Sequence, residues 1–440
     1  LAAWIRGDPL IRGLKWSEHW EDRISLYADD ILLYVADPTN SLDRIMHIIY
    51  LFGKDSGYTI NWDKSLIVIL TGTEPRLPNN CEIKVAPEGF KYLGIYVTKD
   101  PALFYLRNLE PPMRRLHIDI KHWRSLPLSL LGRAALFKMM ALPRFIYILQ
   151  NTPHYVSDTY FQSINSELRT LLWDGGQTRI AQNKLFKGWY DGGIALPDIR
   201  KYYWASHLST VNGWVHQPLN EPAYQMDRTL MQPRGFLHAI YGKPKVEKGT
   251  NPTTTVLKIW HTATQAMGWK GKITQATPLW EDFRLGTLGV HTKFDKWDMI
   301  GISQVGDIWR EGKIIPWSEL QEEFQLANNE IYKYIQIKHA LQTAIPKGIE
   351  VPEASPIETR LLGEHIPKKA ISTIYRKILH NMPDIFLGLR ERWEGDVTEQ
   401  QNEEWTEALA SPKEVAIKSG FRLIQLKILH RIYYAQDILA

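Results

Sequence analysis

Hydrophobic and polar positions change period several times along this chain, and each change predicts an element. Two short apolar runs, Ile24-Ser25-Leu26-Tyr27 and Ile31-Leu32-Leu33-Tyr34-Val35, flank Ala28-Asp29-Asp30. Runs rich in β-branched and aromatic residues around a turn-forming stretch predict a β-hairpin with the acidic pair at its tip. The residues before it read as the tail of a helix leading into the hairpin. Beyond it, Asn40 or Ser41 is placed to cap a helix whose apolar positions Leu42, Ile45, Ile49 and Phe52 follow helical spacing, with Gly57 just past its end. Ile60 through Leu70 returns as a strand, Pro75, Pro78, Asn79 and Asn80 mark a loop, and Lys84 to Val97 reads as a second hairpin with Gly89 near its turn.

From about residue 101 the spacing becomes helical. Ser129 opens a segment that runs to Leu142 and is ended by Pro143. Asp158 is placed to cap a helix carrying the stripe Phe161, Ile164, Leu168 and Leu171, which Gly175-Gly176 stops. Stretches around Pro233-Arg234-Gly235 and Lys243 to Pro252 suggest a boundary or exposed loop. Ser318-Glu319-Leu320-Gln321 reads as a capping box ahead of one long helix with Leu320, Phe324, Ala327, Ile331 and Ile335 on one side. The tryptophans at 260, 269, 280, 297, 309 and 317 show no fixed period, so no repeat is read. The pattern predicts an α+β chain in three units: 1–100, with both hairpins; 101–215, helical; and 216–440, mostly helical.

Composition narrows the class. With 440 residues and 44% hydrophobic content the chain has ample material for packed cores. Its one cysteine, Cys81, leaves no partner for an internal disulfide and no cysteine-based zinc site. No apolar stretch approaches the roughly 20 residues needed to cross a bilayer, and Leu1-Ala2-Ala3-Trp4-Ile5-Arg6 does not read as a signal peptide. A protein of the nucleus or cytoplasm, without a membrane role, is expected. The chain starts with Leu, inside what reads as a helix, and is taken to be a fragment.

Net charge is only +5, but residues 101–215 hold 14 Lys and Arg against 7 Asp and Glu. That surplus is interleaved with Trp123, Phe137, Tyr147, Trp173, Trp189 and Tyr190, which suits a surface that follows a phosphate backbone. Such aromatic residues are more often core and such cations more often solvated surface, so composition leaves both readings open.

The acidic pair carries the most specific chemistry. Carboxylates between apolar runs must neutralise or find a partner, and a divalent cation can hold two of them ionised. The alternative is that Asp29 and Asp30 are ordinary turn residues. His117 and His122 fall on different faces of a predicted helix, and no Gly-rich phosphate loop or metalloprotease box is present.

What surrounds the pair shifts the balance. Tyr27-Ala28-Asp29-Asp30 resembles the Tyr-Ala-Asp-Asp box of reverse transcriptases, in the form used by non-long-terminal-repeat (LINE-type) retrotransposons. Ser56-Gly57-Tyr58-Thr59-Ile60-Asn61-Trp62-Asp63-Lys64-Ser65 resembles that family's next polymerase motif, and Lys91-Tyr92-Leu93-Gly94-Ile95 its primer-grip hairpin. Trp123, Leu131-Gly132-Arg133, Leu142-Pro143 and Gly192-Gly193-Ile194-Ala195-Leu196-Pro197-Asp198 follow in the order of the family's thumb and the stretch after it. Each motif is weak alone; their order and spacing across residues 1–215 make the resemblance specific.

The resemblance implies a partial palm at 1–100, a basic thumb at 101–215, a helical extension at 216–440, and RNA-directed DNA polymerisation. Asp29 would be the principal ligand of Mg²⁺ (or Mn²⁺), with Asp30 adjusting field and geometry. Lys64 would assist the departing pyrophosphate, although a plain surface lysine is an equal reading. Tyr92, Leu93 and Gly94 would hold the primer end, or form a simple hairpin with Tyr92 buried. Arg133 and Lys138 are candidate thumb contacts. Partners would be an RNA template, a DNA primer and deoxynucleoside triphosphates. The family's palm has another aspartate on an upstream strand, and neither Asp8 nor Asp22 sits in an apolar strand of the right type before the hairpin. Upstream polymerase and endonuclease segments are therefore expected in the intact element, and the chain alone is expected to be inactive. The alternative is a nonenzymatic nucleic-acid-binding or structural remnant of a retroelement.

Overall fold

Asp37 caps the helix that supports the first hairpin, its carboxylate accepting the Asn40 backbone N–H, with Pro38 in the first turn. In the computed structural model this helix, α2, spans Pro38–Ser56 and ends at Gly57, whose φ of 74° closes it in the left-handed region. The cap lies earlier than Asn40 or Ser41. Ser41 is buried instead, accepting the Arg12 N–H at 3.2 Å and donating to the Leu10 carbonyl at 3.3 Å. The structure describes residues 1–18, 20–70, 83–216, 224–231, 235–242, 251–269, 271–280, 282, 284–285, 295–346, 349–367, 371–383, 393, 402–414 and 417–432. The expected loop at Pro75 to Asn80 lies outside them. The mixture of helices and small hairpins is α+β, as expected.

Two compact units result: Leu1–Glu110 with Pro218–Gln232, and Pro111–Gln217 with Pro233–Ala440. In the first, α1 (Ala2–Gly7) precedes the hairpin β1 (Leu14–Ser17) and β2 (Trp20–Asp22), then β3 (Ile24–Tyr27) and β4 (Asp30–Leu33). Ile24 pairs with Leu33 and Leu26 with Ile31, so alternate residues share a face. Ile24, with Ile31, Leu33 and Val35, packs on Ile45, Ile48 and Ile49 of α2 and on Ile5 and Ile11. The β1–β2 hairpin has no clear apolar alternation. It is held by Asp22, whose carboxylate accepts the indole N–H of Trp16 at 2.7 Å and of Trp20 at 3.2 Å.

The expected strand Ile60–Leu70 is mostly absent. The Asn61 side chain accepts the Lys64 N–H at 3.2 Å and winds Trp62–Lys64 into a 3₁₀ turn, a local bond that competes with strand pairing. Only β5 (Leu66–Ile67) remains, pairing in parallel with β6 (Lys84–Val85). The second hairpin is narrower than Lys84–Val97: β7 (Phe90–Tyr92) pairs with β8 (Ile95–Val97). Its turn is Leu93-Gly94, both at positive φ (47° and 84°), as primed two-residue hairpin turns favour. Gly89 sits outside the turn, where an added Cβ would lie 2.1 Å from the Val97 carbonyl oxygen. The short helix α3 (Pro101–Phe104) follows, and buried Asn108 hydrogen-bonds both the N–H and the carbonyl of Tyr96.

The second unit is helical. Ser129 caps α5 (Leu130–Met140), which follows α4 (Glu110–Arg124). Pro143 does not end α5 but occupies the first turn of α6 (Leu142–Gln150), where its missing N–H is harmless. The cap of α7 (Asp158–Trp173) is Ser157; Asp158 pairs with Arg200 at 3.0 Å, and the expected stripe from Phe161 to Leu171 is buried. After α8 (Gln182–Phe186) comes α9 (Ile199–His216), buried on all sides, so it shows no amphipathic stripe. Helix α10 (Gln225–Met231) belongs to the first unit, against β1. In the second unit α11 (Gly235–Tyr241), α12 (Pro252–Ala266) and α16 (Ile371–Asn381) pack around α9.

A separate core gathers Trp297, Ile302, Val305, Ile308, Leu320, Leu326, Tyr334, Ile337 and Leu341. They come from α13 (Asp295–Met299), the β9 (Trp309–Arg310) and β10 (Lys313–Ile314) ribbon with the turn before it, α14 (Trp317–Phe324) and α15 (Ile331–Ala344). The single long helix expected here is thus two, broken where Gln325 turns left-handed (φ 51°). The expected capping box is not formed, since Pro316 occupies the cap; Gln304 and Asp307 form one instead. Ala327 and Ile335 are exposed. Among the described residues no helix is long and apolar enough to cross a membrane.

Candidate functional site

Pairing of Tyr27 with Asp30 leaves Ala28 and Asp29 as the two residues of the first hairpin's turn. Ala28 has φ of 52°, a conformation that costs a residue with a Cβ about 1–2 kcal/mol. Strained positions of this kind concentrate at sites where geometry is used. Asp29 therefore occupies the turn, and Asp30 starts β4.

Both carboxylates are exposed, as are Leu26 and Tyr27 beside them. The hairpin is buried at its base, around Ile24, and open at its tip. The apolar runs on either side thus do not bury the pair: they turn inward at the base, and water reaches the charges at the tip. The hydroxyl of Tyr58 donates to the Asp29 carbonyl at 3.3 Å.

Tyr92 of β7 lies close enough to Asp30 to feel its charge. Burial, then the neighbouring Tyr34 hydroxyl and the Asp30 charge, push its phenol above the ordinary tyrosine range. Tyr34 in turn meets the Ser25 hydroxyl at 3.3 Å. Leu93 and Gly94 form the turn next to Tyr92, so the second hairpin's tip and the acidic hairpin belong to one neighbourhood. Lys64 is exposed in its 3₁₀ turn, and among the described residues no hydrogen bond or ion pair joins it to Asp29 or Asp30.

The two upstream aspartates have other partners. Asp8 pairs with Arg44 at 2.6 Å, and Asp22 is taken by two indoles. Among the described residues no group of three His, Cys, Asp or Glu side chains is placed to hold a metal. Two adjacent carboxylates do suit Mg²⁺, which takes one or two of them and completes its shell with water and substrate phosphates. By donor chemistry the pair offers two carboxylates to such an ion, and no third protein ligand stands with them among the described residues.

The two thumb candidates separate. Arg133 is turned inward: its side chain is 13% exposed, donates to the Leu171 carbonyl at 2.9 Å near the end of α7, and lies 3.9 Å from Asp174. That commits it to closing a helix end rather than to an outward contact. Lys138 is exposed on α5. Tyr34 and Tyr58 join the candidates named from sequence. Tyr58 stands in the Ser56–Ser65 motif, directly after the glycine that ends α2, but nothing in that motif points to the Asp29 carbonyl.

Residues 8–97, which enclose both hairpins and α2, match the family model for reverse transcriptase (RNA-dependent DNA polymerase). This stretch is a reverse transcriptase domain.

Proposed function

We propose that the chain is part of the RNA-directed DNA polymerase of a non-long-terminal-repeat retrotransposon, with its nucleotidyl-transfer site at the tip of the first hairpin. The observation that carries this reading is the exposed Asp29-Asp30 pair on a strained two-residue turn inside the reverse transcriptase match. Asp29 and Asp30 would hold Mg²⁺ or Mn²⁺, which in a two-ion arrangement supplies charge stabilisation to both the attacking and the leaving oxygen.

The remaining roles belong to the chain's own groups. Tyr92, Leu93 and Gly94 would seat the primer end beside Asp30, the glycine permitting close backbone approach. Lys64, exposed and unpaired with the acidic pair, would offer its proton to the departing pyrophosphate. Lys138 would contact the phosphate backbone of an RNA–DNA duplex as a point charge. An RNA template, a DNA primer and deoxynucleoside triphosphates are the partners this reading requires. The three-part organisation at 1–100, 101–215 and 216–440 is part of the same proposal.

With no third acidic ligand beside the pair among the described residues, these 440 residues alone are expected not to extend a primer. The same feature favours the second reading, a chain that binds nucleic acid without catalysis. Primer extension on a poly(rA)–oligo(dT) template with Mg²⁺ or Mn²⁺ tests the point. Absence of incorporation is expected; template-dependent synthesis that disappears in Asp29→Asn would overturn the expectation of inactivity and establish the enzyme.

A further inference from the structure

A two-stranded hairpin is marginally stable by itself, and here its tip also carries a left-handed alanine and two adjacent like charges, one in the turn and one at the start of β4. Something outside the hairpin must set the direction of those charges. The Asp29 carbonyl belongs to the peptide that joins Asp29 to Asp30, so its orientation fixes the plane from which both side chains depart. The described hydrogen bond to that carbonyl from beyond the hairpin is the one from Tyr58, whose hydroxyl lies 3.3 Å away.

Tyr58 is itself held on several sides. Its ring packs on Phe52 (centroids 6.2 Å, planes at 59°), and Phe52 packs edge-on against Trp4 at 6.2 Å. Its backbone N–H donates to the Ser56 hydroxyl at 3.2 Å. The left-handed Gly57 turns the chain at the end of α2, and Gly53 leaves room for the return: an added Cβ there would lie 2.6 Å from the Tyr58 carbonyl oxygen. Local geometry at the end of α2 thus delivers a hydroxyl to the acidic turn.

We propose that Tyr58 is a positioning residue for the acidic pair, its hydroxyl orienting the Asp29–Asp30 peptide so that both carboxylates converge on one divalent cation. This rests on the reading of the pair as a cation site. It gives the Gly-Tyr after α2 a role distinct from that of Lys64, which lies in the following turn.

Mn²⁺ titration of the full 440-residue chain, followed by electron paramagnetic resonance of the free ion, separates the possibilities. Asp29→Asn should abolish the tightest binding. Tyr58→Phe, which removes one oxygen and keeps the ring packing, should weaken it about three- to tenfold, the range of a single neutral hydrogen bond. Its melting temperature should stay within about 2 °C of the parent, because the turn is exposed. Gly53→Ala, which displaces Tyr58 without touching its hydroxyl, should weaken binding in the same direction. If Asp29→Asn abolishes binding while Tyr58→Phe and Gly53→Ala match the parent, the positioning role is wrong and the cation site stands. If Asp29→Asn binds Mn²⁺ like the parent, the cation site is wrong and the positioning role goes with it.

Discussion

The hydroxyl of Tyr375 accepts the backbone N–H of Asp198 at 3.1 Å, joining residues 177 positions apart. The Tyr375 ring also stacks on Tyr202 of α9, with centroids 3.8 Å apart and planes within 11°. Burial pushes the Tyr375 phenol far above its ordinary range, so it remains a neutral hydroxyl throughout the working pH range.

A chain ending at residue 216 should therefore fail to form the second unit. It would lose Tyr375 from Tyr202 and Phe236 from Trp214, aromatic contacts that bury about 150–250 Å² per ring. At ~25 cal/mol per Å² each ring amounts to about 4–6 kcal/mol, comparable with the net stability of a whole domain. Asn212 would also lose its bonds to the Leu361 and Glu364 carbonyls and to the Ile366 N–H, each at 2.8 Å. The expected result is retained far-UV circular dichroism, lost near-UV signal and binding of a hydrophobic dye. A cooperative melt of residues 111–216 would contradict it.

His207 gives the second unit an acid sensitivity. It is buried in α9, its ring nitrogen 3.3 Å from the Leu149 carbonyl, and burial pushes its pKa down to about 4. An unfolded histidine titrates near ~6.5, so as pH falls the unfolded chain takes up the proton first. The stabilisation is complete above that value and is lost as pH falls towards 4, by about 3 kcal/mol in all. Melting temperature should fall over this interval in the parent. In His207→Gln, which keeps a donor for Leu149, the fall should be shallower by that amount; identical slopes would count against it.

Lys138 and Arg133 should part company in binding assays. Lys138→Ala should reduce affinity for an RNA–DNA duplex and lower the slope of log affinity against log salt by about 1, with no change in melting. Arg133→Met should leave that slope unchanged and destabilise the fold by about 1–3 kcal/mol, since the Leu171 carbonyl loses its charged donor. Equal effects of both substitutions on the salt slope would show that Arg133 faces nucleic acid.

The acidic hairpin was legible because its signals are local: two apolar runs, a turn-forming pair, and a helix with Leu42, Ile45 and Ile49 on one face. Features that depend on one side chain's local bond or on distant packing were not. Asn61 folds its own backbone into a turn where an apolar run promised a strand, and Gln325, not a residue type that marks a helix end, breaks a predicted helix. Helix α9 has no polar face to reveal its period, because neighbours from both sides of the sequence cover it. At the site, Asp29 and Asp30 could be named from the residues around them. The Tyr58 bond spans 29 residues, and the inward turn of Arg133 depends on where α7 ends.

The central claim, that a primer terminus lies against the acidic turn and the β7–β8 turn, is tested most directly by photocrosslinking. An RNA–DNA duplex with a photoreactive nucleotide at the primer 3′ end is bound to the full chain, irradiated and mapped by mass spectrometry. The account predicts adducts within residues 27–34 and 92–94, suppressed by unlabelled duplex. Adducts confined to residues 111–440, with none on either hairpin, would contradict it.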